Sequence, residues 1–186
     1  MQQPKLFMLL LGCRPNGRNT EQHDILFAIG NSLRELIPQI NEFWPDGGRI
    51  HIDAWREVTE VDGYSLQDLP KDEASTTELQ KLFFLNLGGY KQNEFEEFHY
   101  KMLTVSSTKA EAINEAKQSA FYKHTGFKGA DSHIDDKYGV DVDDVYEIQD
   151  ILHPDLKAQY RLVIEKLLSP VPKDDMHLGY FKLTSL

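Results

Sequence analysis

Two histidine–aspartate pairs are the residues of this sequence best suited to chemistry. His51 and Asp53 lie in the segment HIDAW, and His133 and Asp135 lie in HIDDK. Residues two apart in an extended strand share a face, so each histidine should point the same way as its aspartate. Imidazole nitrogens and carboxylate oxygens together suit zinc, manganese or iron. If the two strands meet, all four residues are candidate ligands of one divalent metal.

The same pairs have an interpretation without a metal. An aspartate close to a histidine is often its hydrogen-bond partner and fixes the tautomer of the ring. On that interpretation the pairs are part of the scaffold. The distance between the two strands decides between the alternatives, and the sequence leaves it open.

Two glutamate–histidine pairs form a second candidate site. Glu21 and His23 lie where a polar loop enters a strand, and Glu97 and His99 repeat the pattern. Loop ends on a rigid sheet are favourable places for ligand contacts, so these four residues are predicted to line a ligand-binding pocket. The alternative is that each pair only orders its loop.

These pairs recur because the sequence contains an internal duplication. The 19 residues starting at Lys5 match the 19 starting at Lys81 without gaps, with eight identities and an offset of 76. The 19 residues starting at His51 match those starting at His133, again with eight identities, at an offset of 82. Two matching blocks in the same order predict two copies of one structural unit. The change of offset predicts six extra residues in the second copy, in a loop around HTGFKG.

The elements of each copy follow from hydrophobic periodicity. A buried strand over Leu6–Leu11 and a second over Asp24–Ile29 precede a helical pattern that starts near Leu33. Ser32 with Glu35 predicts a capping box, and Pro38 predicts a kink or a late helix start. The segment RIHIDAW and a short strand near Tyr64 complete a strand–strand–helix–strand–strand unit.

The chain divides on this basis into four parts. They are a first unit (residues 1–70), a linker (71–80), a second unit (81–152) and a C-terminal helix and strand that packs on the second unit (153–186). The helix is predicted from the stripe Leu156 to Leu168 behind the start signal HPD, and the strand from HLGYFKL. The predicted fold class is α+β, with two mainly antiparallel units related by a pseudo-twofold axis.

Composition limits the partners of this chain. It has 186 residues with 30 acidic and 20 basic side chains, and the net charge of −10 disfavours nucleic acid and anionic lipid. The apolar run at Leu6–Leu11 is too short to span a bilayer and lacks the flanks of a signal peptide. The single cysteine, Cys13, excludes an internal disulfide and leaves its own role open. We predict a soluble cytoplasmic protein, and a homo-oligomer stays open.

With these segments in view, the chain resembles a bacterial family known as domain of unknown function 1543, which occurs as one or two copies per chain. The motifs that carry the resemblance are LFMLLLG with EQHD, FWP and HIDAWREV in the first copy, and LFFLNLGGY, EEFH and SHIDDKYGVDVDDVYEI in the second. They cover Leu6 to about Ile151. The resemblance implies no activity, cofactor or catalytic residue, because none is established for the family.

Two functions from different classes follow. The first is a non-enzymatic module that binds a small molecule or a protein partner in a cleft. The alternative is a metal-dependent enzyme on a small molecule, with a His/Asp site built from both copies and Glu21 or Glu97 as general base. The cofactor is unassigned beyond a candidate divalent metal.

Overall fold

The computed structural model describes residues 3–71, 79–90, 93–118 and 140–186. The chain divides into two compact units, one made of Met1–Thr76 with Leu152–Leu186 and the other of Thr77–Ile151. Most of the predicted linker, the loop around HTGFKG, and the residues His133 and Asp135 lie outside the described residues.

The fold is α+β, as predicted, and the strand pairs among the described residues are antiparallel. The strands are β1 (Lys5–Cys13), β2 (Gln22–Gly30), β3 (His51–Glu57), β4 (Glu60–Val61), β5 (Tyr64–Pro70), β6 (Lys81–Tyr90), β7 (Glu97–Ser106), β8 (Val140–Glu147), β9 (Tyr160–Lys166) and β10 (His177–Lys182). The α-helices are α1 (Ile37–Phe43), α2 (Lys109–Gln118), α3 (Ile148–Ile151) and α4 (Pro154–Gln159).

The first unit is built on a four-stranded sheet in the order β10-β3-β1-β2. Alternation along β1 sends Phe7, Leu9 and Leu11 to one face, where they form a core with Ile52 and Ile40 of helix α1. Gly12 therefore belongs to the opposite face. A second sheet, in the order β4-β5-β9, completes this unit.

Helix α1 begins late, and Pro38 is the reason. Residues Leu33–Leu36 form a 3-10 turn, and the α-helix starts at Ile37 with Pro38 in its first turn. Proline fits there because the missing N–H has no helical acceptor at that position. The predicted capping role of Ser32 is wrong, because its side chain makes no capping hydrogen bond. The carboxylate of Glu35 instead accepts a hydrogen bond from the backbone N–H of Asn31.

The second unit contains a three-stranded sheet in the order β7-β6-β8. Helix α2 covers one face and buries Ala112 and Ala116 against Phe83, Leu85 and Leu87. At the offset of 82 the short strand near Tyr64 corresponds to Tyr146, which lies in β8, and helix α3 starts directly after this strand at Ile148. The segment that should form the preceding strand, around His133, lies outside the described residues.

The C-terminal segment differs from the prediction in two ways. Helix α4 starts after His153 as expected but ends at Gln159, and strand β9 takes over the region predicted as helix. Its sequence YRLVIEK is rich in residues that favour strands, and all seven residues pair with β5. Strand β10 pairs with β3. Both strands therefore belong to the first unit, whereas the segment was predicted to pack on the second.

Strand register relates the sheets of the two units at an offset different from that of the sequence match. Gly12 pairs with His51 in the first unit, and Gly88, its equivalent at the offset of 76, pairs with Asp141 in the second. The equivalent of Asp53 is Asp143, an offset of 90 rather than 82. On this register the residue that corresponds to His51 is Asp141, whereas the sequence match predicted His133, which lies outside the described residues.

No helix within the described ranges is both long and apolar enough to cross a membrane.

Candidate metal centre

Four side chains of the first unit converge on one face of its sheet. The Nε2 atom of His51 lies 3.1 Å from Glu21 Oε1 and 3.2 Å from Asp53 Oδ1. The Nε2 atom of His23 lies 3.2 Å from Asp53 Oδ2 and 3.9 Å from Glu21 Oε2. The two pairs that the sequence analysis assigned to separate sites therefore form a single cluster within one unit.

Strand pairing brings these residues together. Gly12, in the middle strand, pairs with His23 of β2 on one side and with His51 of β3 on the other. Directly paired residues share a face, so the two imidazoles lie on either side of a glycine. Glu21 precedes β2 by one residue and lies two positions before His23, which places it on the same face.

Gly12 is required by the close approach of its neighbours. A Cβ atom at this position would lie 2.5 Å from Asp53 Oδ2 and 2.5 Å from His51 Nε2. Any other residue would push one of these groups away. The absence of a side chain at Gly12 thus creates the space in which the four side chains meet.

A β-bulge in β3 fixes the position of Asp53. Leu10 pairs with Ala54 and Leu11 pairs with Ile52, so Asp53 is an extra residue on its strand. Bulges re-aim side chains and are frequent next to functional sites. Because of the bulge, Trp55 packs against the core beside Phe7 and does not share the face of His51.

The cluster is buried on the side of His51 and accessible to solvent on the side of Glu21 and His23. His51 is only 4% exposed, whereas the side chains of Glu21 and His23 are nearly half exposed. Both ring nitrogens of His51 and the Oδ2 atom of Asp53 are buried and make no hydrogen bond. The ring of Tyr180, from β10, covers the imidazole of His51 with a centroid distance of 4.1 Å. The buried nitrogens of His51 and the buried Oδ2 atom of Asp53 therefore lie beneath the more exposed side chains of Glu21 and His23.

These distances are compatible with metal ligation. Two ligand atoms that each lie 2.0–2.2 Å from a tetrahedral zinc ion are about 3.3–3.6 Å apart. The four nitrogen–oxygen distances range from 3.1 to 3.9 Å. His51 and His23 approach different oxygens of each carboxylate, so one ion bound by both histidines requires the carboxylates to turn. Small movements of the exposed glutamate would bring the fourth contact into range.

The second unit carries a related but different cluster. Glu97, His99 and Asp143 can each offer one ligand atom, with all three atoms within 4.8 Å of one another. A Cβ atom at Gly88 would overlap the carboxylate of Asp143. All three side chains are exposed. Asp141 occupies the strand position that His51 has in the first unit.

Two residues that build these clusters, Gly12 and Asp143, were not among the predicted site residues. The signal lies in the structure and not in the sequence spacing, because the ion pair Lys5–Glu57 recurs as Lys81–Glu147 although the partners are 52 residues apart in the first unit and 66 in the second. When β3 is aligned with β8 through this ion pair, Asp143 corresponds to Asp53.

Cys13 takes no part in the cluster as a nucleophile. Its side chain is buried, and burial raises the pKa of the thiol, with further increases from the negative charges of Asp46 and Glu21. The thiol therefore stays protonated at neutral pH. Because the thiolate is the reactive form, this cysteine is an unreactive core residue.

Comparisons with known proteins find a family match over part of the chain and a similar fold over nearly all of it. Residues 18–67 match the model of the family described as Domain of Unknown Function (DUF1543), and one copy is found. A search of curated proteins found no match. The chain is similar to the crystal structure of a protein Il1583 from Idiomarina loihiensis, with a TM-score of 0.65 and 23% identity. That similarity covers 97% of this chain and 98% of the other, and it concerns the fold.

Proposed function

We propose that the first unit is a metal-binding module that holds one divalent transition-metal ion through His23, His51, Asp53 and Glu21. The observation that carries the proposal is His51. Its ring is buried, its Nε2 atom faces two carboxylate oxygens at 3.1 and 3.2 Å, and neither ring nitrogen makes a hydrogen bond.

A hydrogen-bond network explains this arrangement poorly. The Nε2 atom carries at most one proton, so it cannot satisfy the carboxylates of Glu21 and Asp53 at the same time. Buried polar atoms without partners cost about 1–3 kcal/mol each. A divalent cation removes both difficulties, since it accepts the nitrogen lone pair and is bound by both carboxylates.

The donor set favours particular ions. Two imidazoles and two carboxylates suit zinc, manganese or iron, and the carboxylates neutralise a divalent charge. The exposed side chains of Glu21 and His23 leave one side of the centre accessible to a small molecule. We therefore combine the two functions considered from the sequence, a small-molecule module and a metal site, and assign both to the first unit.

We also propose that the second unit is another copy of the same domain. Three correspondences support this: the glycine at the centre of the sheet, the bulged aspartate on the third strand, and the Lys–Glu ion pair between the first and third strands. Its cluster lacks the buried histidine, so we expect the first unit to hold the metal.

Calorimetric titration of tag-free protein with Zn²⁺ and Mn²⁺ tests the proposal. We expect one equivalent to bind, with affinity reduced at least 100-fold in His51→Ala and at least tenfold in Glu21→Gln. Glu21 is a half-exposed loop residue, so its substitution does not threaten the core. The matched control is His99→Ala in the second unit, which should bind like the parent protein. Absence of binding, or unchanged binding in both first-unit variants, contradicts the proposal.

A further inference from the structure

Beside the proposed metal centre lies a cleft of about 800 Å³, a volume typical of small-molecule sites. It is formed by the end of β10, the start of β3 and helix α1, and both His51 and Tyr180 contribute to its lining. His51 is therefore shared by the cluster and the lining of the cleft.

The charge of this cleft is opposite to that of the chain. Its lining includes Arg49 and Lys182, and among the described residues it includes no aspartate or glutamate. The whole chain has 30 acidic residues and a net charge of −10. Neither Arg49 nor Lys182 has an ion pair or a side-chain hydrogen bond to another described residue. Two unpaired cations in an acid-free cleft form a local site for an anion.

Lys182 lies beside His51, one of the proposed metal ligands. It pairs with His51 across neighbouring strands, and directly paired residues lie on the same face of a sheet. With a divalent ion bound, the charges of Glu21 and Asp53 are balanced. The positive charges of Arg49 and Lys182 then remain uncompensated and are available to a ligand.

The remaining residues that line the cleft suit the apolar part of a small-molecule ligand. Ile37, Ile50 and Leu183 contribute aliphatic surface to the cleft. Tyr180 stacks on His51 with one face and is still 63% exposed. An exposed aromatic ring beside two cations suits a planar molecule that carries a negative charge at one end.

We infer that the cleft binds a small organic anion, a carboxylate or a phosphate monoester, with its charged end between Arg49, Lys182 and the metal and its apolar part on Tyr180. This inference rests on the proposed metal centre and names the class of molecule that the centre receives.

Titration of the zinc-loaded protein with benzoate and with phenyl phosphate tests the inference and separates the two kinds of anion. We expect at least one of them to bind, and the double variant Arg49→Gln, Lys182→Gln to weaken that binding roughly tenfold or more, as expected for loss of charge-assisted hydrogen bonds. Lys173→Gln is the matched control, because Lys173 is an exposed cation outside the cleft. Its affinity should equal that of the parent protein.

A zinc titration of the same samples keeps the two proposals distinguishable. If zinc binds normally and neither anion does, or if the double variant binds the anion as well as the parent protein, the inference is wrong and the metal centre stands. If zinc does not bind, the proposed function fails, and the inference fails with it.

Discussion

The side-chain clusters of the two units occupy matching strand positions. They differ in residue type at one of these positions. In the first unit the glycine of the middle strand pairs with His51, and in the second the equivalent glycine pairs with Asp141. A Glu–His pair and a bulged aspartate are present in both. The donor set is thus richer in nitrogen in the first unit, and its central donor is buried.

This difference predicts that the residue at one strand position determines whether a cluster binds a metal. The framework of both clusters follows from strand pairing, which is similar in the two units. On the proposed function, metal binding depends on the buried imidazole of His51, because an imidazole nitrogen is a better ligand for zinc than a carboxylate oxygen. The units therefore offer internal controls for each other, with the first expected to bind metal and the second to bind it more weakly or not at all.

The largest expected effect concerns stability and belongs to the first unit. Asp68, in β5, is 3% exposed, and its Oδ1 atom has no hydrogen-bond partner. Burial raises the pKa of this carboxyl to about 7, against a smaller lowering by the backbone N–H of Leu6. The folded state thus holds a proton that the unfolded state releases near pH 4, and stability is lost as the pH rises from about 4 to about 7.

Asp68→Asn should remove this loss, because the amide is neutral and keeps an acceptor for Leu6. We expect the variant to be more stable at pH 8 by roughly 4 kcal/mol at most, and similar to the parent protein at pH 4. Amide hydrogen exchange resolves the two units, and the strands of the second unit serve as the control. A stability difference that does not change with pH contradicts this account.

The second effect concerns the glycines. Gly12→Ala introduces a Cβ atom 2.5 Å from both His51 and Asp53, so these ligands must turn away. We expect zinc affinity to fall by 10- to 100-fold, the range typical of disturbed ligand orientation. Gly88→Ala is the matched substitution in the second unit and should leave zinc affinity unchanged. Calorimetry of the two variants measures both effects, and equal behaviour would remove the distinction between the units.

A gain of function is the third expectation. Asp141→His places an imidazole at the strand position equivalent to that of His51, opposite Gly88. We expect the variant to bind a second equivalent of zinc, or to strengthen any weak second site roughly tenfold. Elemental analysis after dialysis gives the stoichiometry. If it stays at one, the identity of this residue does not explain the difference between the units.

The smallest effects concern the ion pairs Lys5–Glu57 and Lys81–Glu147, with N–O distances of 2.5 and 2.6 Å. Both pairs are partly exposed, and surface pairs contribute at most about 1 kcal/mol. Lys5→Met and Lys81→Met should therefore lower the free energy of unfolding slightly and leave zinc affinity unchanged. Urea unfolding with a parallel zinc titration measures this, and a large loss of affinity in Lys5→Met alone would tie the pair to the metal centre.

The sequence predicted the local parts of this fold well. Hydrophobic patterns located β1 and β2, and Pro38 located the late start of α1. Strand β9 was predicted as a helix because a stretch such as YRLVIEK has apolar residues compatible with both periods. Its strand conformation is set by pairing with β5, an interaction between distant parts of the chain.

The sequence pointed to the four side chains of the first cluster, but it did not predict that they come together in one site. His51 with Asp53 and Glu21 with His23 were each identified, yet they were assigned to different sites. Their convergence depends on the pairing of β2 and β3 with the two edges of β1, on the bulge at Asp53, and on the space above Gly12. None of these is a local property of the sequence, and a one-residue change of register would separate the four side chains.

The central claim is that His23 and His51 bind one metal ion together. Nitrogen-15 NMR of the histidine side chains, recorded while Zn²⁺ is added, tests it most directly. We predict that the Nε2 resonances of His23 and His51 both shift and stop shifting at one equivalent, while that of His153, which contacts Glu42 away from the cluster, stays unchanged. If the resonances of His23 and His51 respond only to pH and not to zinc, the cluster is a structural network and the claim is wrong.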